Sequence, residues 1–220
     1  MKMFHIGKQS VKSLKSVSKY LIELLIVSFG VFLGFYLGEQ NNQKRTNQNT
    51  LNALNQIISE LESNVEIIGR TITYHEQLSI ELDSVTSILE KSDYNKPFLE
   101  TKEKFNFSQM PSWRGYWVAN TNSIIYESAK ISGVFNELNI ETIRIIATVY
   151  EFQEHYKKLG NQSLNKLLDM DSDTKVMDVV GLLERLVKYD LYAQEKSILE
   201  MLKQSIQQLK KIRDEKSYRK

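Results

Sequence analysis

Between positions 20 and 37 the chain reads YLIELLIVSFGVFLGFYL, eighteen residues with one charge, Glu23. Over much of the remaining chain apolar and polar positions alternate at helical intervals. As a helix the eighteen residues rise about 27 Å, close to the roughly 30 Å of a bilayer's hydrocarbon, and tyrosines at both ends suit the two interfaces. The pattern predicts one transmembrane helix over residues 20–38. Beyond it, Leu51, Leu54, Ile58, Leu61, Val65, Ile68, Ile72, His75, Leu78, Leu82, Val85 and Leu89 recur in alternating steps of three and four. Such a seam marks a helix packed on other helices, and the extra three-step near His75 predicts a local overwinding or break. The Asn/Gln-rich residues 39–50 between span and seam have neither an apolar stripe nor a proline. They read as a polar stalk continuing the helix, or as a short frayed linker.

Residues 92–121 interrupt the pattern with Pro97 and Pro111 and gather Phe98, Phe105, Phe107, Trp113, Tyr116 and Trp117 into one irregular, aromatic-rich loop. Periodicity resumes at Asn122 and stops at Gly133, a left-handed helix end. Asn139, with Glu141 after it, reads as the N-cap of a helix reaching Gly160. A short helix over residues 163–170, the polar DSDT loop and a last long helix from Val176 to about Arg213 complete the chain. No segment sustains period-two alternation and no repeat of 20 to 50 residues appears. The expected fold is all-α: a transmembrane helix continuing toward an antiparallel helical bundle outside the cytoplasm. Its divisions are a basic cytoplasmic tail over 1–19, the span over 20–38, the polar stalk or linker over 39–50 and the helical domain over 51–215.

Charge sets the orientation. Residues 1–19 hold Lys2, Lys8, Lys12, Lys15 and Lys19 and no acid, so the positive-inside bias places the N-terminus in the cytoplasm. Around Tyr36, Leu37, Gly38 and Glu39 no A-x-A-like cleavage site occurs, which makes the segment an uncleaved signal anchor of a single-pass protein. The 29 basic residues less those five lysines leave 24, against 26 acidic residues once Glu23 is set aside, so the external part carries no surplus that would attract nucleic acid. The absence of cysteine removes disulfides, thiol catalysis and cysteine metal sites.

Two constellations stand out as contact surfaces. In the span, Gly30, Gly34 and Gly38 recur every four residues and clear one stripe for close backbone approach, with Glu23 near the same face. An ionisable group at that depth is a functional candidate, although one turn inside the boundary it can also reach water or Lys19. In the loop, Trp113, Arg114, Tyr116 and Trp117 combine large rings with a guanidinium, the chemistry of a partner or ligand surface; the same rings also suit the plug of an open bundle end. Catalytic signatures are missing. Glu151 and His155 share a helical face and Glu76 follows His75, but residues 72 and 152 are isoleucine and phenylalanine, so the Glu-x-x-His of di-iron bundles is absent, and Ser79 spoils a zincin motif. The histidines read as surface or seam residues. Neither enzyme activity, cofactor nor metal is expected.

Glu23, the apolar run to Gly30, Val31 and Gly34, and the Asn/Gln/Lys/Arg-rich stretch after it resemble the opening of an uncharacterised family of bacterial single-pass envelope proteins. Ser132, Gly133, Asn139, Ile143, Arg144 and Tyr150 resemble an internal segment of that family, while Gln40 stands where the family usually carries tryptophan. The resemblance covers about residues 20–70 and 120–155 and implies an inner-membrane anchor with a periplasmic helical domain, of no established activity. The expected function is a binding, scaffold or assembly component of the envelope. Its partners are the bilayer and either further copies of itself or another membrane or envelope protein. A ligand sensor signalling through a partner is the alternative, since nineteen cytoplasmic residues hold no output domain.

Overall fold

A computed structural model describes residues 9–115 and 118–218. Helices account for 80% of the structure, and no strand occurs among the described residues. Five α-helices follow in order: α1 (Gln9–Thr86), α2 (Ile124–Ile131), α3 (Ile140–Leu168), α4 (Val176–Val187) and α5 (Asp190–Tyr218). The chain divides into two units between Asn49 and Thr50. Of the basic tail, residues 1–8 lie outside the described part.

In the first unit, residues 20–37 form a helical surface on which every large apolar side chain is open, from 39% for Leu33 to 77% for Phe35. One helix near the N-terminus is thus long and apolar enough to cross a membrane. Residues 39–50 are helical as well, and Gln43 donates to Glu39 one turn back at 3.3 Å.

The second unit has a continuous core. Along α1 the seam buries Leu51, Leu54, Ile58, Leu61, Ile68, Ile72, Leu78, Leu82 and Val85, and His75 is buried among them. The helix passes the extra three-step without a break. Helix α3 packs along α5, and α4 packs on both. Gly133 takes the left-handed conformation expected of it, with φ +77°, and the Asn139 side chain accepts the Thr142 N–H at 2.8 Å to start α3.

Two boundaries differ from expectation. Helix α3 does not stop at Gly160 but runs to Leu168, absorbing the separate short helix. That glycine serves packing: a Cβ there would lie 2.6 and 2.7 Å from the two methyls of Val118. The last long helix is two helices, broken at Lys188 and Tyr189, where Arg185 pairs across the corner with Asp190 at 2.6 Å. Val176, Val180, Leu183 and Val187 form the buried apolar seam of α4, and Ile198, Leu202 and Leu209 that of α5.

The irregular segment 92–121 carries three single 3-10 turns, Asp93–Asn95, Phe98–Glu100 and Phe107–Gln109. It is stitched to the start of α4, because Phe98 N–H donates to Thr174 O at 2.8 Å and Val176 N–H to Lys96 O at 3.0 Å. Its anchor is Asp93, a buried carboxylate that accepts from Lys96 Nζ at 2.6 Å, Lys104 Nζ at 2.8 Å and Glu90 N–H at 3.1 Å. The bonds from Lys104, Lys96 and the Glu90 backbone hold its pKa far below the ordinary 3.8. A depressed acid stabilises the fold above its unfolded-state pKa, and the contribution drains away as pH falls through the lower folded value. Asp93→Asn is therefore expected to lower the melting temperature at neutral pH, with the gap to the parent closing progressively below about pH 4. Melting curves across pH test this; a gap that stayed constant into acid would contradict the clamp.

Candidate functional site

The sequence-derived candidates fall in three places. On the exposed helical surface of the first unit, Gly30, Gly34 and Gly38 lie in open space, where a Cβ at any of them would meet nothing within 4 Å. No contact within the chain calls for glycine there. Phe32 and Tyr36 stack beside the stripe with centroids 6.5 Å apart, and the half-exposed Glu23 carboxylate lies 4.0 Å from Lys19 Nζ.

Trp113 and Arg114 sit in the aromatic loop; Tyr116 and Trp117 lie outside the described residues. Trp113 stacks on Phe107 with centroids 4.6 Å apart and planes 8° from parallel. Phe107 meets Phe98, and Phe98 meets Phe105, at 5.5 and 5.6 Å. Since Phe98 and Phe105 are buried, one face of Trp113 closes the core. Arg114, the next residue, is exposed.

The loop is pinned to α1 by two side chains. Tyr74 accepts the Arg114 N–H at 3.1 Å and donates its hydroxyl to Gly115 O at 3.0 Å, where Gly115 has φ +86°. Two turns further, Glu81 accepts the Ser112 N–H at 2.9 Å and the Gln77 side chain lies at 3.0 Å. Burial raises the Tyr74 pKa more than the Arg114 backbone bond and charge lower it. At Glu81 burial pushes up, but the bonds from Ser112 and Gln77 prevail and the pKa falls. Ile67, Arg70, Tyr74 and Arg114 line a cleft of about 210 Å³ beside the pinned loop.

Inside the unit lies a feature that the sequence reading missed, a set of buried polar contacts among α1, α3 and α5. Glu195 of α5 is wholly buried; its two oxygens meet His75 Nδ1 at 2.9 Å and the Tyr156 hydroxyl at 2.7 Å. Tyr156 in turn accepts the Ala119 N–H at 2.8 Å. At a second level, Asn64 donates to Gln153 and to Asn122 O and accepts the Asn122 N–H, each at 2.8 Å. At a third, Glu60 accepts the Tyr150 hydroxyl at 2.6 Å and the Ile125 and Tyr126 N–H groups at 2.8 and 3.3 Å, closing the start of α2. Burial, then the Glu60 carboxylate, drives the Tyr150 phenol far above its ordinary 10.0. A carboxylate, imidazole and phenol in contact could relay a proton, but these atoms are sealed from solvent, and their satisfied bonds fix the helix register instead. His155 is exposed, 3.8 Å from Glu151. Among the described residues no three His, Asp or Glu side chains converge as a metal site would need.

Comparisons with protein families, with curated proteins and with solved structures find no match to this chain.

Proposed function

We propose that this protein is a single-pass membrane anchor carrying an extracytoplasmic helical bundle, and that it acts as a binding or scaffold component of the cell envelope. The single observation behind this reading is the open apolar surface of residues 20–37, where large side chains face outward all round the helix. Soluble monomers rarely leave more than a few hundred Å² of contiguous apolar surface uncovered, whereas lipid requires it. The lysines before the span orient its start toward the cytoplasm, and the antiparallel bundle beyond then faces the periplasm, as the envelope-family resemblance also implies.

The glycine stripe gives the span its partner face. Without side chains at Gly30, Gly34 and Gly38, a second backbone approaches closely, and a second copy of this helix or the span of another envelope protein fits the cleared surface. Gly34→Leu is expected to leave membrane insertion intact and to weaken span association about tenfold, equivalent to about 1.4 kcal/mol. Crosslinking of the full chain in mild detergent, with mass spectrometry of what co-purifies, reads that change. A chain that is monomeric and alone before substitution sinks the scaffold reading, and a carboxyl-terminal reporter found in the cytosol sinks the topology.

A further inference from the structure

We propose that the cleft lined by Ile67, Arg70, Tyr74 and Arg114 binds a small amphipathic anion, a phosphate or carboxylate group carried on one aromatic ring or short alkyl chain. The inference concerns the second unit alone and holds whether or not residues 20–37 span a bilayer.

Charge comes first. Two arginines line this cleft, and neither is held in an ion pair shorter than 4.0 Å among the described residues. Arg70 has only the exposed Glu66 carboxylate at 4.0 Å, and no ion pair to Arg114 occurs among the described residues. Glu81, another acid near Tyr74, is not in the lining and directs its oxygens to Ser112 and Gln77. The Arg114 charge acts to lower the Tyr74 pKa, while burial, the larger effect, raises it overall. A guanidinium presents its donors in a planar fork that matches the oxygens of a carboxylate or phosphate, so two of them bordering one cleft form a receptor for a single anionic head.

Among the described residues the rest of the lining is Ile67 and Tyr74, an aliphatic side chain and an aromatic ring. An apolar cavity of roughly 150 Å³ accommodates a benzene ring. At about 210 Å³ this one takes a ring or short chain together with its anionic head, and it is too small for the two acyl chains of a phospholipid. Its geometry is set in advance, because Tyr74 fixes the backbone at Arg114 and Gly115, and Glu81 fixes it at Ser112. Neither arginine side chain is a structural clasp: the bond that Arg114 makes to Tyr74 uses its main-chain N–H.

The test uses the full chain in non-ionic detergent, with empty micelles as blank, and phenyl phosphate as probe in ligand-observed NMR. Saturable binding is expected, with inorganic phosphate and the neutral benzyl alcohol each at least about tenfold weaker, since each supplies half of the recognition. Arg114→Gln and Arg70→Gln should each weaken phenyl phosphate about tenfold while native tryptophan emission is retained. Arg144→Gln, which alters an exposed Glu141 pair on α3, should change nothing. Benzyl alcohol binding as tightly as phenyl phosphate would overturn the anionic half, and inorganic phosphate doing so would overturn the apolar half. Unchanged binding in both cleft variants, displacement by phosphatidylglycerol alone, or no saturable binding at millimolar probe would each reject the site.

Discussion

Replacing His75 with leucine is expected to cost the folded chain about 1–3 kcal/mol, the usual penalty for leaving a buried polar group without its hydrogen-bond partner. Leucine fills much of the imidazole's space, so the loss comes from chemistry. Glu195 is wholly buried, and without the imidazole 2.9 Å away its second oxygen has lost a donor in a medium that cannot replace it with water. Glu195→Leu alone should cost a similar amount, because it strands His75. The two together should recover most of the loss, as apolar replacement of a whole buried pair is often neutral or better. Tyr156 would still accept the Ala119 N–H in that double variant, so a residue of about 1 kcal/mol remains for its lost acceptor. Denaturant unfolding of the full chain, followed by tryptophan fluorescence, measures all three. Additive single effects would show that the contact does not couple α1 to α5.

Gly160→Ala is expected to destabilise by about 1–3 kcal/mol, although alanine is the better helix former by up to about 1 kcal/mol. The sign separates two accounts of this position. As a passive weak point in α3, glycine should be improved by any Cβ. The structure gives it a purpose, because the added carbon would stand 2.6 and 2.7 Å from both methyls of Val118, and a β-branched side chain cannot rotate both away. Val118→Ala removes those methyls, so Gly160→Ala made in that background should be neutral or stabilising. A coupling of about 1–2 kcal/mol between the two substitutions is the expected reading of a double-mutant cycle in thermal melts. Stabilisation by Gly160→Ala in the parent chain would show that the loop yields freely at that point.

The same two sites show what the sequence could and could not tell. Apolar steps of three and four marked α1, α4 and α5 because helix seams bury one face and expose the other, and that pattern survives without knowing the partner. What escaped were polar residues obeying the same rhythm. On α5 the buried positions run Leu191, Glu195, Ile198, Leu202, Ser205, Ile206 and Leu209; on α3 they run Thr142, Ile146, Val149, Tyr150, Gln153, Tyr156 and Gly160. Glu195 and Gln153 stand where only apolar side chains are expected. A charge in phase with a seam is a signal of a buried partner, and His75, in phase on α1, was the matching half. Identifying the pair needed three dimensions, since 120 residues separate them. Gly160 misled for a related reason: helix-stop statistics describe local backbone preference, while here a loop 42 positions earlier sets the demand. In the loop, Trp113 and Arg114 were singled out together for their ring and their cation. Their division of labour, one ring turned to the core and one cation to the cleft, depends on the Tyr74 and Glu81 tethers, which no periodicity announces.

Three polar levels along α1, at Glu60, Asn64 and His75, also restrict how this unit can move. A piston stroke of one helical turn, about 5.4 Å, would drag a carboxylate, an amide and an imidazole away from their mates. Contacts spread from Glu60 to His75, about 22 Å along one rod, therefore lock α1 in register with α3 and α5.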